Sequence, residues 1–383
     1  MAFATLRTVD FRNLADDEVN VRGKDIFLVG ENGQGKSNFL EALYFCSYAS
    51  SFRGVKDREL VRTGKNDCSA SVTLEGSLCS SVNVIVKEGK KIITLDGKQV
   101  EDRKELLSVV PVIVFCHEDM EFVAGTPERR RWFFDQTRSL WDPLYLDDLR
   151  KYRLLLKSRN VLFRRNRSAL GETKMGSPAR LDSSAKLNYE TCATLDALDP
   201  QLAQCGLELT SRRHETAREF SLVFEPLYRE ISGLDGIGVE YIPSWKEENL
   251  DGILKRLFEK REMDAAMGIS LSGPHRDRYR FTRKGEDFSG KASTGQRRLL
   301  ALLLRIAQTK VFSEKTRKNP ILLLDDVLLE LDGEKRKKFL SVMPEYEQAF
   351  YTFLPGEPFE KYRKNDTLVY YMDSGKVMDE KSR

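Results

Sequence analysis

The sequence contains no apolar run long enough to span a bilayer. Its longest, Val109–Phe115 and Leu299–Leu304, suit a buried strand and part of a helix. The opening, MAFATLRTVDFRN, lacks the apolar stretch and cleavage site of a secretory signal. The six cysteines (46, 68, 79, 116, 192 and 205) include no Cys-x-x-Cys pair, so nothing points to zinc or a redox site, and reduced thiols in a cytoplasm fit best. A large net charge is missing as well: 63 Lys+Arg against 59 Asp+Glu gives +4, and that sum announces no nucleic-acid partner. Histidine occurs three times, at 117, 214 and 275, and no internal repeat is present. What the chain does have is 40% apolar and 32% charged residues over 383 positions, enough for a real core in one large domain or two of ordinary size.

The first part reads as β-rich. Ala4–Val9 and Asp25–Val29 have strand character, and Val82, Val84 and Val86 alternate with polar residues as on a half-buried strand. Ile92–Leu95 followed by Asp96-Gly97 signals a hairpin, and Val112–Phe115 suits a central buried strand. After Pro127 the period becomes helical: Tyr145, Leu149, Tyr152 and Leu156 form one apolar stripe. A Gly/Ser/Pro-rich loop is expected over 171–184, after which Leu195, Leu198, Leu202, Leu209, Phe220 and Phe224 continue the helical spacing. This middle region reads as a helical lobe of two or three long helices. Strands return at Val239–Ile242 and Tyr279–Phe281, then a helix from Thr294, the strand Ile321–Leu324, a charged helix near 334–343 and the strand Ala349–Phe353. An α/β unit therefore opens the chain and another closes it, and the two ends are expected to share one sheet.

Gly30-Glu31-Asn32-Gly33-Gln34-Gly35-Lys36-Ser37 matches G-x-x-x-x-G-K-[ST], between an apolar strand and a helical run. Its glycines let backbone N–H groups converge on phosphate oxygens at a helix N-terminus. Lys36 would reach the β- and γ-phosphates of a nucleotide and the Ser37 hydroxyl would ligate Mg²⁺. Far along the chain, Ile321-Leu-Leu-Leu-Asp325-Asp326 is a buried strand ending in two acids. Carboxylates in that position need a cation or hydrogen bonds to compensate their burial. Asp325 would hold the metal, directly or through water, and Asp326 would orient and activate the attacking water. Nearly the whole chain separates the two motifs, a spacing foreign to compact GTPases and kinases, and no Asn-Lys-x-Asp guanine motif is present.

Ser293-Thr-Gly295-Gln296-Arg297-Arg298 opens the helix that precedes the Asp325 strand. It resembles the signature of ABC-type ATPases, whose Ser and Gly at a helix N-terminus bind the γ-phosphate held by the opposite subunit. Glu330-Leu331-Asp332 looks like the D-loop that crosses such a dimer interface. Along most of its length the chain resembles the RecF family, replication and repair ATPases related to SMC heads. The resemblance rests on Phe11-Arg12-Asn13, the 30–37 loop, Ser51-Phe52-Arg53, Phe115-Cys-His-Glu118-Asp119, Gly125-Thr-Pro127-Glu-Arg129-Arg130, Gly273-Pro274-His275-Arg276-Asp277, the signature, Leu323-Leu-Asp325-Asp326-Val327 and Glu330-Leu331-Asp332.

The resemblance implies an ABC/SMC-like head: a mixed-sheet ATPase lobe with its P-loop core built from both chain ends, and an inserted helical lobe. The expected divisions are 1–125, 126–235 (the helical lobe) and 236–383. It implies that ATP and Mg²⁺ join two copies head to tail around duplex or gapped DNA, and that slow hydrolysis resets the clamp. It also implies work with RecR and RecO in loading RecA at gaps and in SOS induction. Glu118 stands in the segment corresponding to the Q-loop and would contact the metal or its water. His117 stands where the family usually has Pro, Arg278 replaces a frequent acid, and Thr294 and Arg298 vary the signature. Thr352 occupies the place of the ABC transporters' switch histidine.

Other residues keep two readings. Arg12 either touches nucleotide from the first strand or is a surface arginine. Arg276 suits phosphate or a cross-dimer contact, and His275 suits a structural or interface role better than catalysis. Arg129, Arg130 and Arg131 look like structural ion-pair partners. From Arg150 to Arg167 the chain has eight Lys or Arg and no acid. Arg150, Lys151, Arg153, Lys157, Arg159, Arg164 and Arg165 either contact DNA backbone or form a solvated helix face. A transporter subunit, an ATP-dependent scaffold and a coiled-coil SMC protein are the rival classes. The first lacks its switch histidine, the second has no need of Asp326, and the third requires a longer middle region.

Overall fold

The computed structural model describes residues 1–169, 187–327 and 333–379, so the loop expected over 171–184 and the segment 330–332 lie outside the described residues. The chain opens with β1 (Ala2–Val9), β2 (Glu18–Asn20) and β3 (Asp25–Val29), then helix α1 (Lys36–Tyr48). Next come β4 (Cys68–Glu75), β5 (Ser81–Lys87), β6 (Lys90–Leu95) and β7 (Lys98–Val100). Helix α2 (Lys104–Val109), strand β8 (Val112–Phe115) and helices α3 (Met120–Ala124) and α4 (Pro127–Ser139) lead into α5 (Pro143–Ala169) and α6 (Tyr189–Ser232). After these come β9 (Ile237–Ile242), α7 (Leu250–Met267), β10 (Arg278–Arg283) and β11 (Glu286–Asp287). The last stretch holds α8 (Thr294–Thr316), β12 (Ile321–Leu324), α9 (Gly333–Ser341), β13 (Gln348–Phe353), β14 (Thr367–Asp373) and β15 (Lys376–Asp379). Among the described residues, no helix is long and apolar enough to cross a membrane.

Two compact units result. One comprises Met1–Val123, Pro226–Leu234 and Ala292–Arg383, the other Ala124–Glu225 and Asp235–Lys291. The division expected at residue 236 is thereby corrected to residue 292. Strands β9, β10 and β11 form a three-stranded sheet of their own, with β10 packed on α4, and so belong to the helical unit.

The first unit contains two six-stranded sheets. One is antiparallel, in the order β2-β1-β4-β5-β6-β7, and its strands alternate buried with partly exposed residues because only one face meets the core. The other has the order β15-β14-β3-β13-β12-β8, with every pair parallel except the β14–β15 hairpin. Strands β3, β13 and β12 are buried at every position, as apolar runs covered on both faces should be, and so is β8, whose expected central place is corrected to the edge of the sheet. Residues 25–29 thus lie between 348–353 and 367–371, and the two chain ends do share one sheet. Helix α1 packs against strands of both sheets, which buries ten of its thirteen residues.

The second unit is held by apolar stripes and by two buried ionic networks. Tyr145, Leu149, Tyr152, Leu202, Leu209, Ile253 and Leu257 of α5, α6 and α7 share one cluster with Trp245 of the segment before α7. Arg159, fully buried, bonds Asp199 at 2.8 Å, Asp264 at 2.6 Å and Ser270 at 2.8 Å. Its assignment to a DNA-contacting face is therefore corrected. It follows Leu149, Tyr152 and Leu156 at helical spacing, so it points inward with the stripe. Arg213 likewise bonds Asp135 at 2.8 Å and Asp277 at 2.8 Å, and Asp277 also accepts from Tyr241 Oη and from Ser244 N. His275 accepts from Tyr152 Oη at 2.9 Å and donates from Nε2 to the Ser270 carbonyl at 3.0 Å. Burial pushes its pKa down to about 4, aided by Arg276, Arg131 and Arg159 and opposed by the Ser270 carbonyl. A neutral, bridging ring suits a structural role.

Replacing Arg159 with Ala leaves Asp199 and Asp264 buried without their cation. Urea denaturation should show a loss of about 3–5 kcal/mol, while Lys157→Ala, at an exposed neighbour, changes stability by less than about 0.5 kcal/mol. Equal midpoints for the two variants would contradict this placement. His275 is depressed in the fold, so its contribution is present above its unfolded pKa near 6.5 and is lost as pH falls toward 4. The denaturation midpoint of the native protein should therefore drop more between pH 7 and pH 5 than that of His275→Gln. Parallel drops would show that the ring is charged in the fold.

Candidate active site

The phosphate-binding loop leaves β3 at Gly30 and enters α1 at Lys36, with Gly33 at φ +80° and Gly35 at φ +106°. Gly35 is the N-cap of α1, so the free N–H groups of the first turn face the loop. At Gly30 the neighbouring strand end comes so near that a Cβ would lie 2.7 Å from the Met372 carbonyl oxygen. Lys36 is 4% exposed, and its Nζ donates to the carbonyls of Gly30 at 2.7 Å and Glu31 at 3.1 Å.

Parallel pairing of β12 with β13, and of β13 with β3, carries Asp325 to the loop. Ser37 Oγ donates to Asp325 Oδ1 at 2.7 Å across 288 residues of sequence. Burial pushes the Asp325 pKa up to about 6, the charges of Asp326 and Glu118 add to this, and Ser37 and Arg53 oppose it. Such a carboxylate gains most from a cation. A hydroxyl and a carboxylate oxygen this close fit Mg²⁺, whose cis ligands lie about 2.9 Å apart. Ser37 and Asp325 are the residues that would hold it. Glu118 is exposed in the short 3₁₀ turn after β8, where its charge reaches Asp325. Its neighbour Asp119 is buried and bonded by Arg305 of α8 at 2.7 Å. Asp326 takes a left-handed backbone, φ +54°, and bonds Thr352.

Ser293 caps α8: its Oγ accepts from Gln296 N at 3.3 Å, and Gln296 Oε1 accepts from Ser293 N at 2.8 Å. Ser293, Thr294 and Gly295 are exposed, and nothing lies within 4 Å of a Cβ built on Gly295. The helix end is thus accessible to a phosphate presented from outside. The segment 330–332, the expected D-loop, lies outside the described residues.

Sequence reasoning overlooked the support behind the loop. Glu41, fully buried on α1, accepts from Arg12 Nε at 3.0 Å and from Ser51 Oγ, and lies 3.8 Å from Arg53. Arg53 Nη1 also bonds Asn38 at 3.0 Å, Asn38 bonds Asn13 at 2.7 Å, and Asn13 Nδ2 donates to the Gly33 carbonyl at 3.1 Å. Phe11-Arg12-Asn13 and Ser51-Phe52-Arg53 therefore brace the loop from one buried acid. A lone Glu amid Phe39, Leu40, Ala42 and Leu43 was the signal. On α5, Arg150, Lys151, Arg153, Lys157, Arg164 and Arg165 are all exposed, unlike Arg159, and the side chain of Arg167 lies outside the described set. Arg131 donates to the Asp277 carbonyl at 2.7 Å and Arg130 to that of Tyr279 at 3.4 Å, while Arg276 is exposed.

Gly30→Ala forces its methyl against a backbone carbonyl that belongs to β14. Titration with a fluorescent ATP analogue should show affinity reduced at least about 10-fold, or about 1.4 kcal/mol. An unchanged Kd with an unchanged unfolding midpoint would contradict the close approach.

The model of the RecF/RecN/SMC N-terminal domain matches residues 2–375. The DNA replication and repair protein RecF of Treponema pallidum (strain Nichols) is 41% identical over 372 residues, covering 97% of this chain and 99% of that protein. The solved structure of the recombination mediator protein RecF with ATP, of the RecFOR pathway, has a TM-score of 0.82 at 26% identity, covering 98% of this chain and 97% of that one. An Smc head domain from Pyrococcus furiosus, solved with the C-terminal domain of ScpA, has a TM-score of 0.50 at 15% identity over 98% of this chain and 95% of that one, a likeness of fold alone. With its phosphate loop, paired acids and signature helix set on one ABC/SMC-type head, the chain belongs to the RecF family.

Proposed function

We propose that this chain is a Mg²⁺-dependent ATPase of recombinational gap repair and replication restart, in which ATP joins two copies and the joined pair holds DNA. The observation that carries the reading is the 2.7 Å approach of Ser37 to Asp325, a hydroxyl and a carboxylate with the chemistry to hold Mg²⁺ beside Lys36 and the first turn of α1. Lys36 would exchange its two loop carbonyls for phosphate oxygens, and the N–H groups of 31–37 would hold the rest, with Arg12 beside them on Glu41. Mg²⁺ on Ser37 and Asp325, with Glu118 near, would offset the phosphate charge. Asp326 would accept the proton of the attacking water.

The exposed Ser293 and Gly295 have the chemistry of an anion site and would meet the γ-phosphate bound by a second copy, which makes hydrolysis depend on dimerisation. Turnover is slow in this reading, and release of the γ-phosphate opens the pair. Arg150, Arg153, Lys157 and Arg164 recur along α5 at spacings that keep them near one face, and with Lys151 and Arg165 they would track DNA phosphates. The RecFOR pathway named for the solved relative supports RecO and RecR as partners; in this reading the outcome is RecA loading and SOS induction, in the cytoplasm.

Binding of a fluorescent gapped duplex tests this, with ATP, with ADP and without nucleotide. Binding should require ATP, vanish in Lys36→Met, and weaken by decades as salt rises, because several phosphates are neutralised together. Binding indifferent to nucleotide and to salt would refute the ATP-gated clamp.

A further inference from the structure

Position 352 is the penultimate residue of β13, next to the strand that ends in the paired acids. Its neighbours Tyr351 and Phe353 turn their rings to one face of the sheet, where both meet Phe27. Thr352 therefore faces the other way, with Phe350, toward α1 and the site. It is 3% exposed, in a place where a buried hydroxyl must find partners. Its two short bonds are both to one residue. The backbone N–H of Asp326 donates to Thr352 Oγ1 at 2.7 Å, and Oγ1 donates in turn to Asp326 Oδ1 at 2.8 Å. Asp325 Oδ1 lies 3.5 Å from the same hydroxyl.

This closed pair of bonds explains the backbone of Asp326. A non-glycine residue at φ +54° is disfavoured unless its surroundings hold it there. The hydroxyl grips that residue at its amide and at its carboxylate together, so both the backbone turn and the side-chain rotamer are held. One carboxylate oxygen is engaged by the hydroxyl, and among the described residues no hydrogen bond reaches the other.

We infer that Thr352 is the positioning residue of the hydrolytic step. Its hydroxyl fixes the direction of the Asp326 carboxylate without touching the nucleotide, and it does so as a neutral group. A general base contributes only when its lone pair is aimed at the proton it takes. Loss of the hydroxyl leaves Asp326 in place but free to rotate, which lowers turnover and spares ATP binding. The inference rests on the reading of Asp326 as the residue that activates water.

Steady-state ATP hydrolysis by full-length Thr352→Val, Thr352→Ala, Thr352→Ser and Asp326→Asn proteins tests it. Val keeps the shape, Ala removes any misfit of the extra methyl, and Ser restores the donor. The expected result is a kcat about 10- to 100-fold lower for Val and Ala, a KM for ATP within about 2-fold of the native value, and recovery to within about 3-fold for Ser. A merely structural residue would move KM and the melting temperature together with kcat, and Ser would rescue no better than Val. If Asp326→Asn abolishes hydrolysis while Val and Ala turn over at or above the native rate, or if Ser is as slow as they are, the inference is overturned and the reading of Asp326 stands. If Asp326→Asn hydrolyses normally, that reading fails first.

Discussion

Strand β13 lies between β3 and β12, and most of what matters in the first unit follows from that placement. One neighbour ends in the phosphate loop and the other in Asp325-Asp326, so parallel pairing delivers both motifs to the same edge of the sheet. Parallel strands need covered crossovers, which is why the intervening chain must leave the sheet and return. The carboxylate brought there is buried enough to be held near pKa 6, and its one close partner from the loop is a serine hydroxyl. The fold thus carries an unfavourable charge at the point where a magnesium nucleotide would relieve it.

Around this junction the polar contacts divide into those that carry chemistry and those that hold position. Lys36, Ser37, Asp325 and Asp326 face the site. Glu41 faces away from it and is satisfied by Arg12, Ser51 and Arg53, so the helix that starts the loop is anchored by an ion cluster as well as by apolar packing. Thr352 belongs to the positioning class too, acting on Asp326 from the adjacent strand. In the second unit the same device recurs on a larger scale, with Arg159 and Arg213 each joining carboxylates from separate segments. Buried pairs of this kind contribute little net stability but make removal of one partner severe.

Much of this was legible in the residues. The phosphate loop and the paired acids are short patterns with demanding chemistry, and the apolar runs at 25–29, 112–115 and 321–324 state that their strands are covered on both faces. Arg159 was misplaced because charges were counted along the chain and not around the helix, where it falls on the stripe of Leu149, Tyr152 and Leu156. Helix α7 was missed although Ile253, Leu257 and Arg261 lie four apart, since a buried arginine interrupts the apolar count. The division at 236 failed for a different reason. Strand character at 239–242 does not say which sheet the strand joins, and that depends on partners distant in sequence.

In the proposed mechanism each active site is built from both ends of one chain and completed by the signature helix of another. Mixing two inactive variants, Ser293→Arg and Asp326→Asn, measures it directly. In a mixed pair, the Asp326 of the first variant faces the intact Ser293 of the second, so one of two sites is whole. With half of all pairs mixed, ATPase activity should rise from near zero to about a quarter of the native rate. If the mixture stays as inactive as its components, although both variants bind ATP and pair, the site is not shared between copies and the account is wrong.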